Sequence, residues 1–204
     1  MARPPNLDRR RELLDRVVAY LAEHGVGQVA LRPLAASLGI SVNGLIHHFG
    51  SKEELVATAL TRAAEQQAAI RDGWLEHQPG LSQAELLRRW WRWINASSAN
   101  LAIVRLGIEA AAMDATRSGL PGAVRADQVS LWRSSIERQL VAEGWAPEVA
   151  AIEASLVKAM FTGLVVDLLA TGDRRRLTRA LEAGVARIES GPTAIAPLPG
   201  KVQL

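Results

Sequence analysis

Residues 28–52 read QVALRPLAASLGISVNGLIHHFGSK, and this stretch decides how the chain is interpreted. The apolar side chains of Leu34, Ala35 and Leu38 recur at helical spacing, which predicts a short helix with one buried face. Gly39 follows directly and can end that helix, because glycine adopts a left-handed backbone without steric cost. The first half of the stretch is therefore predicted to be a helix followed by a tight turn.

A second, shorter helix is predicted directly after the turn. Ser41 can cap it by accepting a hydrogen bond from a free backbone N–H group. A helix this short does not fold alone, so Leu45 and Phe49 must anchor it on a larger body. A short helix behind a glycine turn is the arrangement that places a recognition helix in the major groove of DNA. Its outward face is predicted to consist of Val42, Asn43, Gly44, Ile46, His47 and His48.

The same stretch resembles the DNA-binding signature of the TetR family of transcriptional regulators. The order and spacing of the signature are matched by Arg32, Leu34, Ala35, Gly39, Ile40, Ser41, Leu45, Phe49, Lys52 and Glu53. Three positions depart from it. Ile46 replaces a tyrosine that usually reaches a phosphate, Ala30 replaces a capping Ser or Thr, and Gly44 stands where Thr or Ala is common.

The resemblance implies a homodimeric regulator, most often a repressor, which a small molecule releases from a near-palindromic DNA operator. We expect a helix-turn-helix DNA-binding domain over residues 1–52, a ligand-binding and dimerisation domain over 53–190 and a flexible tail over 191–204. The predicted DNA contacts are Arg32, Ser41, Val42, Asn43, Gly44, Ile46, His47, His48 and Lys52. Asn43 and the two histidines suit base edges, whereas Arg32 and Lys52 suit phosphates.

Charge is concentrated at the N-terminal end of the 204-residue chain. Residues 1–52 contain seven Lys or Arg against four Asp or Glu, which accounts for the whole net charge of +3. Arg9, Arg10 and Arg11 begin a predicted helix, where basic groups oppose the helix dipole. A nearby DNA phosphate would explain this cluster, and a solvated arginine surface is the alternative.

Composition restricts the class of protein. The chain has no cysteine, so disulfides and thiolate metal sites are excluded. No uninterrupted apolar run reaches the ~18 residues of a membrane span, and the N-terminus lacks a secretory pattern. We therefore expect a cytoplasmic protein without a membrane partner. His47 and His48 are adjacent rather than three or four residues apart, so neither a metal nor another cofactor is predicted.

Beyond residue 53 the apolar periodicity predicts helices throughout, and the whole chain is predicted to be all-α with about nine helices. All six tryptophans lie beyond residue 73, with Trp90 expected to be buried and Trp91 and Trp93 at the edges of their helix. The candidate effector-binding residues are Trp90, Trp93, Ile94, Val104, Ile108, Met113 and Trp132. Ordinary core packing explains any one of them equally well. Arg105 and Glu109 are either a surface ion pair or the polar part of such a pocket.

Residues 148–170 are predicted to form a helix. Its apolar surface is too wide for a helix with one solvent-exposed face, so two of its sides should be buried. The resemblance implies that the last two long helices form the dimer interface, and a twofold dimer is the commonest arrangement. The candidate interface residues are Val157, Phe161, Leu164, Asp167 and Leu168. Asp167 would face a basic group such as the partner's Lys158, or reach solvent.

A second class of function stays open at this point. The chain could be a helical small-molecule binding protein or an enzyme whose N-terminal head only mediates interactions. No nucleophile–base pair, carboxylate dyad, glycine-rich phosphate loop or metal motif appears in the sequence. An activator that keeps the DNA-binding head is a third possibility.

Overall fold

The computed structural model describes residues 7–27, 29–116 and 127–191, and all regular secondary structure in these ranges is α-helical. This confirms the all-α prediction. Residues 192–204, most of the predicted tail, lie outside the described residues. The helices are α1 (Leu7–His24), α2 (Leu31–Leu38), α3 (Val42–Phe49), α4 (Lys52–His77), α5 (Gln83–Ala96), α6 (Ser98–Thr116), α7 (Asp127–Ala142), α8 (Pro147–Thr171) and α9 (Arg174–Glu189).

Helix α4 runs through Gly73 without a break. It continues to His77, and the N–H of Gln78 donates to the carbonyl of Trp74. A single glycine costs a helix only about 1 kcal/mol relative to alanine, which packing can offset. That packing comes from Trp74, whose ring meets the ring of Trp90 edge to face at 5.1 Å.

The chain forms two compact units, and they do not divide at residue 52. The first contains Met1–Leu81 with Arg89–Leu131, and the second contains Ser82–Arg88 with Trp132–Leu204. The reason is that the core beneath α2 and α3 extends into the first half of α4 and into α6. Leu55, Leu60 and Leu106 are all buried in the same apolar cluster as Leu34 and Leu45.

In the second unit, α8 packs along α9 through one of its faces. The buried residues of α8 are Ala150, Glu153, Ala154, Val157, Phe161, Val165 and Leu168. Glu153 is enclosed but neutralised by an ion pair with Arg187 of α9. A Cβ at Gly184 of α9 would overlap the thioether end of the Met160 side chain, so an added methyl group would require that flexible side chain to move.

The interface prediction is corrected for Val157, Phe161 and Leu168. Their side chains are at most 4% exposed and are enclosed by their own chain, so they leave no surface for a second copy. Leu164 is half-buried. Asp167 does not need a partner subunit, because Arg176 of the same chain donates to both of its carboxylate oxygens at 2.8 and 2.9 Å.

Among the described residues, Pro147–Thr171 is the one helix long and apolar enough to cross a membrane by length and composition. Its most apolar 18-residue window has a mean hydropathy of 1.8, and 33% of that window is buried inside the structure. The expectation that no such segment exists is therefore too strict, since it counted only uninterrupted apolar runs. Core helices of soluble proteins pass the same test.

Candidate DNA-binding interface

Helices α2 and α3 meet at a turn whose geometry follows the sequence. Gly39 has a φ of 70°, in the left-handed region that favours glycine, and its N–H bonds back to the carbonyls of Ala35 and Ala36. Ser41 begins α3, and its hydroxyl accepts a hydrogen bond from the N–H of Gly44 at 3.0 Å. The predicted turn and cap are therefore both confirmed. Ala30, at the start of α2, makes no side-chain cap.

Helix α3 is held by two buried side chains and one arginine. Leu45 and Phe49 are the buried residues of this helix. Arg10 of α1 lies over the Phe49 ring at 5.3 Å and donates from Nε to the carbonyl of His48 at 3.3 Å. Arg10 thus binds the C-terminal end of α3 and holds this helix against α1, so it is more than an exposed charge. This role of Arg10 could not be predicted, because no local sequence pattern pairs residue 10 with residue 48.

The face of α3 opposite this anchor is open. Asn43, Ile46 and His47 are exposed, and Ile46, at 44%, is among the most exposed large apolar side chains of the described residues. Val42, Gly44 and His48 are half-buried around them. All six predicted residues of this face are therefore at least partly accessible. An amide, an imidazole and an apolar side chain can meet base edges and a thymine methyl group in the major groove.

Basic and hydroxyl groups surround this face. Arg32, in the first turn of α2, and Ser41 are exposed, and Lys52, in the first turn of α4, is half-buried. Lys52 is placed by a full capping box, in which Ser51 and Glu54 each accept the other's backbone N–H, at 3.1 and 2.7 Å. The N–H of Ser51 lowers the pKa of the Glu54 carboxyl, since it stabilises the charged form.

A polar cluster joins α1 to α4 within the same unit. Arg62 donates to both oxygens of Asp15, at 2.6 and 3.1 Å, and the Gln66 amide adds a third hydrogen bond at 2.8 Å. The Arg62 guanidinium holds the pKa of the Asp15 carboxyl below its ordinary value. The bidentate geometry makes this pair stronger than a simple surface contact.

Helix α6 holds the other end of α1. Arg105 donates to the carbonyl of Ala22 at 2.6 Å, and Glu109 accepts the N–H of Val26 at 3.0 Å. Arg105 and Glu109 also form an ion pair at 3.2 Å. The pair is therefore neither an isolated surface contact nor a pocket group. It satisfies backbone groups at the C-terminal end of α1 that the helix itself leaves free.

A groove of about 650 Å³ lies beside α1 in this unit, within the volume range of small-molecule sites. It is lined by Arg11, Arg62, Glu65, Gln66, Gln67, Ala69, Ile70, Trp93 and Ile103. Among the described side chains, Trp93 is the one predicted effector-binding residue that lines it. Arg11 and Gln67 reach the groove from separate helices, so no local sequence pattern predicts that they lie together.

The other predicted effector-binding residues are placed differently. Trp90 and Ile94 are buried residues of α5. The ring of Trp90 meets the ring of Trp93 edge to face, with their centroids 5.3 Å apart. Trp91, expected at an edge, is also buried. Val104 and Ile108 are half-buried on α6, and the side chain of Met113 lies outside the described ones. Trp132 belongs to the second unit, where its ring contacts Phe161 at 5.4 Å.

Comparison with known proteins supports the interpretation of the head. The family model described as "Bacterial regulatory proteins, tetR family" matches residues 13–59, which include all of α2 and α3. The HTH-type transcriptional repressor KstR2 of Mycobacterium tuberculosis is 46% identical over 48 residues. The DNA-binding head of this chain is therefore similar to that of the TetR family. The matched segment spans 24% of this chain and 24% of KstR2, so the match covers about a quarter of either protein.

The TetR-family fold extends over nearly the whole chain. A transcriptional regulator from Rhodococcus sp. Rha1 superposes with a TM-score of 0.73 at 23% identity, covering 92% of this chain and 99% of that one. The multidrug binding protein EbrR, solved with imidazole, gives a TM-score of 0.66 at 21% identity, covering 98% and 96%. At these identities the two structures show the shared fold. By their names, KstR2 is a transcriptional repressor and the protein from Rhodococcus sp. Rha1 is a transcriptional regulator.

Proposed function

We propose that this chain is a homodimeric repressor of the TetR family that reads a near-palindromic operator and releases it when a small apolar or aromatic effector binds. The observation that carries the proposal is the open face of α3, where Asn43, Ile46 and His47 project from a capped and anchored helix. None of these three side chains is buried in the core of its own unit. Protein surfaces of this kind are suited to base edges.

The chemistry of each side chain indicates which part of the DNA it would contact. Asn43 and His47 would read base edges, and Val42 and Ile46 would contact thymine methyl groups. Arg32, Ser41 and Lys52 would contact phosphates, which position the protein without specifying sequence. Two heads of a dimer would enter successive major grooves about 34–36 Å apart.

The dimer is supported by the apolar surface of α8. Ile152, Leu156, Val166 and Leu169 are between 37% and 50% exposed, on a helix whose opposite face is already packed. Exposed apolar side chains that continue along one helix mark an interaction surface rather than isolated surface residues. A twofold pair of copies is the commonest way to cover one.

The groove beside α1 is the proposed effector site. Ile70, Trp93 and Ile103 supply an apolar wall, and Arg11 and Gln67 supply polar groups at its rim. An effector releases DNA only if it binds the released conformation more tightly than the DNA-bound one. The groove is formed by α1, α4, α5 and α6, so a ligand there contacts the helix that holds α3 through Arg10. The protein would act in the cytoplasm, where its operator lies.

The test is a selection of randomised duplex DNA on the purified protein at two salt concentrations. We expect enrichment of a near-palindrome whose half-sites are one helical turn apart. The Asn43→Ala, His47→Ala double variant serves as the control, since both side chains are exposed and their loss should not unfold the head. It should keep salt-dependent binding but lose enrichment. Equal enrichment by the variant, or none by the wild type at either salt, would overturn the proposal.

A further inference from the structure

The apolar anchors of α3, among the described residues, lie along one side of the helix. Leu45 and Phe49 are buried one turn apart, and Val42 packs half-buried on the same side. Anchors that lie in line along a helix fix its distance from the core more firmly than its rotation about that line. Asn43 and His47 are exposed, so they keep their directions only if a further contact prevents this rotation.

Arg10 of α1 supplies a contact of a different kind. Its Nε donates to the carbonyl of His48 at 3.3 Å, and its guanidinium carbon lies 5.3 Å from the centre of the Phe49 ring. The free carbonyls at the C-terminal end of a helix carry partial negative charge, so a cation beside them is stabilised by the helix dipole. Arg10 therefore holds the backbone of α3 together with its buried ring, and this contact opposes rotation of the helix.

The helix that carries Arg10 is itself fixed by hydrogen bonds to two longer helices. Asp15 of α1 accepts hydrogen bonds from Arg62 and Gln66 of α4. Arg105 of α6 donates to a backbone carbonyl near the C-terminal end of α1. The contact of Arg10 with α3 therefore ties the orientation of this short helix to the rest of its unit.

A second arginine of α1 makes the same kind of bond to α2. Arg16 donates from Nη2 to the carbonyl of Ser37, the penultimate residue of α2, at 3.2 Å. His48 is likewise the penultimate residue of α3. The two arginines thus bind corresponding carbonyls of the two helices. The side chains proposed to read base edges project from α3 and not from α2, so the two contacts can be compared directly.

We propose that Arg10 is a positioning residue for base recognition, which sets the rotation of α3, and with it the directions of Asn43 and His47, without contacting DNA. This proposal rests on the DNA-reading function proposed above. Exposed side chains lie about 10 Å across the helix from its anchored side, so a rotation of about 10° moves them by about 1.7 Å. Hydrogen-bond distances span only about 0.5 Å, so such a rotation breaks the contacts with base edges.

Two other roles of Arg10 predict different measurements. As a phosphate contact, which the cluster Arg9–Arg11 suggests from the sequence, it would add to the salt dependence and stabilise complexes with all sequences alike. As a purely structural residue it would change the fraction of folded heads, which lowers the affinity for every sequence by one common factor. A positioning role changes the ratio of operator to non-operator affinity and leaves the salt slope as it is.

The test is Arg10→Met in the full chain, because methionine keeps an unbranched apolar stem over Phe49 but has neither the charge nor the N–H donor. Fluorescence anisotropy with the duplex enriched by the wild type, and with a scrambled duplex of the same composition, gives the affinity ratio and the salt slope. We expect the ratio to fall about tenfold, which is the discrimination carried by about one base contact. The salt slope should not change, and the thermal midpoint should fall by less than about 4 °C.

Two further variants control for loss of an arginine and for loss of its charge. Arg16→Met removes the corresponding bond to α2, and its affinity ratio should stay within about twofold of the wild type. Arg10→Lys keeps a cation that can donate to the His48 carbonyl and lie over the Phe49 ring. Its ratio should recover to within about threefold of the wild type.

The outcomes separate this inference from the function it rests on. A ratio unchanged by Arg10→Met, or an equal loss of both affinities, would overturn the positioning role and leave the sequence-reading repressor intact. A salt slope lowered by about one unit per head would overturn it in favour of a phosphate contact. An Arg16→Met ratio as low as that of Arg10→Met, or no recovery in Arg10→Lys, would also overturn it. A wild type that binds both duplexes equally would overturn this inference and the proposed function together.

Discussion

Truncation of Leu45 should release the recognition helix from the rest of the head. Its side chain is 1% exposed, and with Phe49 it makes up the buried side of α3. Leu45→Ala removes three buried carbons, worth about 2.4 kcal/mol at ~0.8 kcal/mol each. The cavity left behind raises the loss of unfolding free energy to about 3 kcal/mol. An eight-residue helix cannot form without its anchor, so the first effect is local opening of α3.

Two measurements check this expectation. Urea unfolding gives the change in free energy, and hydrogen exchange shows whether the amides of α3 lose protection before those of α8. Asn43→Ala is the matched control, because it truncates an exposed side chain on the same helix and should change stability by less than about 0.5 kcal/mol. A Leu45→Ala loss below about 1 kcal/mol, with unchanged exchange in α3, would refute the reasoning.

Three further changes probe phosphate contact and acid stability. Ile46→Tyr restores the hydroxyl that the TetR signature carries at this exposed position, so operator affinity should rise in a fluorescence anisotropy titration; no gain would mean that position 46 does not approach DNA. Lys52→Ala should weaken binding to all sequences and flatten the plot of log affinity against log salt by about one unit per head, and an unchanged slope would exclude a phosphate contact. Asp15 has a lowered pKa because Arg62 donates to its carboxylate, so its stabilisation is complete above the unfolded value of about 3.9 and is lost as pH falls through the folded pKa. The urea midpoint of the wild type should therefore fall more steeply below about pH 4 than that of Asp15→Asn, and parallel curves would contradict this.

Features set by neighbouring residues could be predicted from the sequence. Gly39 and Ser41 specify a turn and a cap through backbone sterics and one local hydrogen bond, and both appear where expected. The capping box of Ser51 and Glu54 is equally local. These short-range rules, together with helical periodicity, were sufficient to predict α2, the turn after it, α3 and the start of α4.

Features that depend on distant packing could not be predicted in this way. Helix α4 passes through Gly73 because Trp74 meets a tryptophan of α5. Helix α8 is apolar around most of its circumference, so periodicity alone did not show whether Val157 or Leu156 faces α9. Arg10 closes α3 from 38 residues away. In each case the contact that determines the structure joins residues far apart in the sequence. Neither the spacing of apolar residues nor helix propensity can predict such a contact.

The uninterrupted course of α4 has a mechanical consequence. Its 26 residues form a rod about 39 Å long, with the N-terminal half buried beneath α3 and the C-terminal half only partly covered. A tilt of about 5° around the C-terminal end would carry the N-terminal end through about 3 Å, close to the ~3.4 Å between successive nucleotides of a strand. Lys52 sits at that moving end. A tilt too small to disturb any core contact near Trp74 is thus enough to move Lys52 away from a phosphate whose position is fixed.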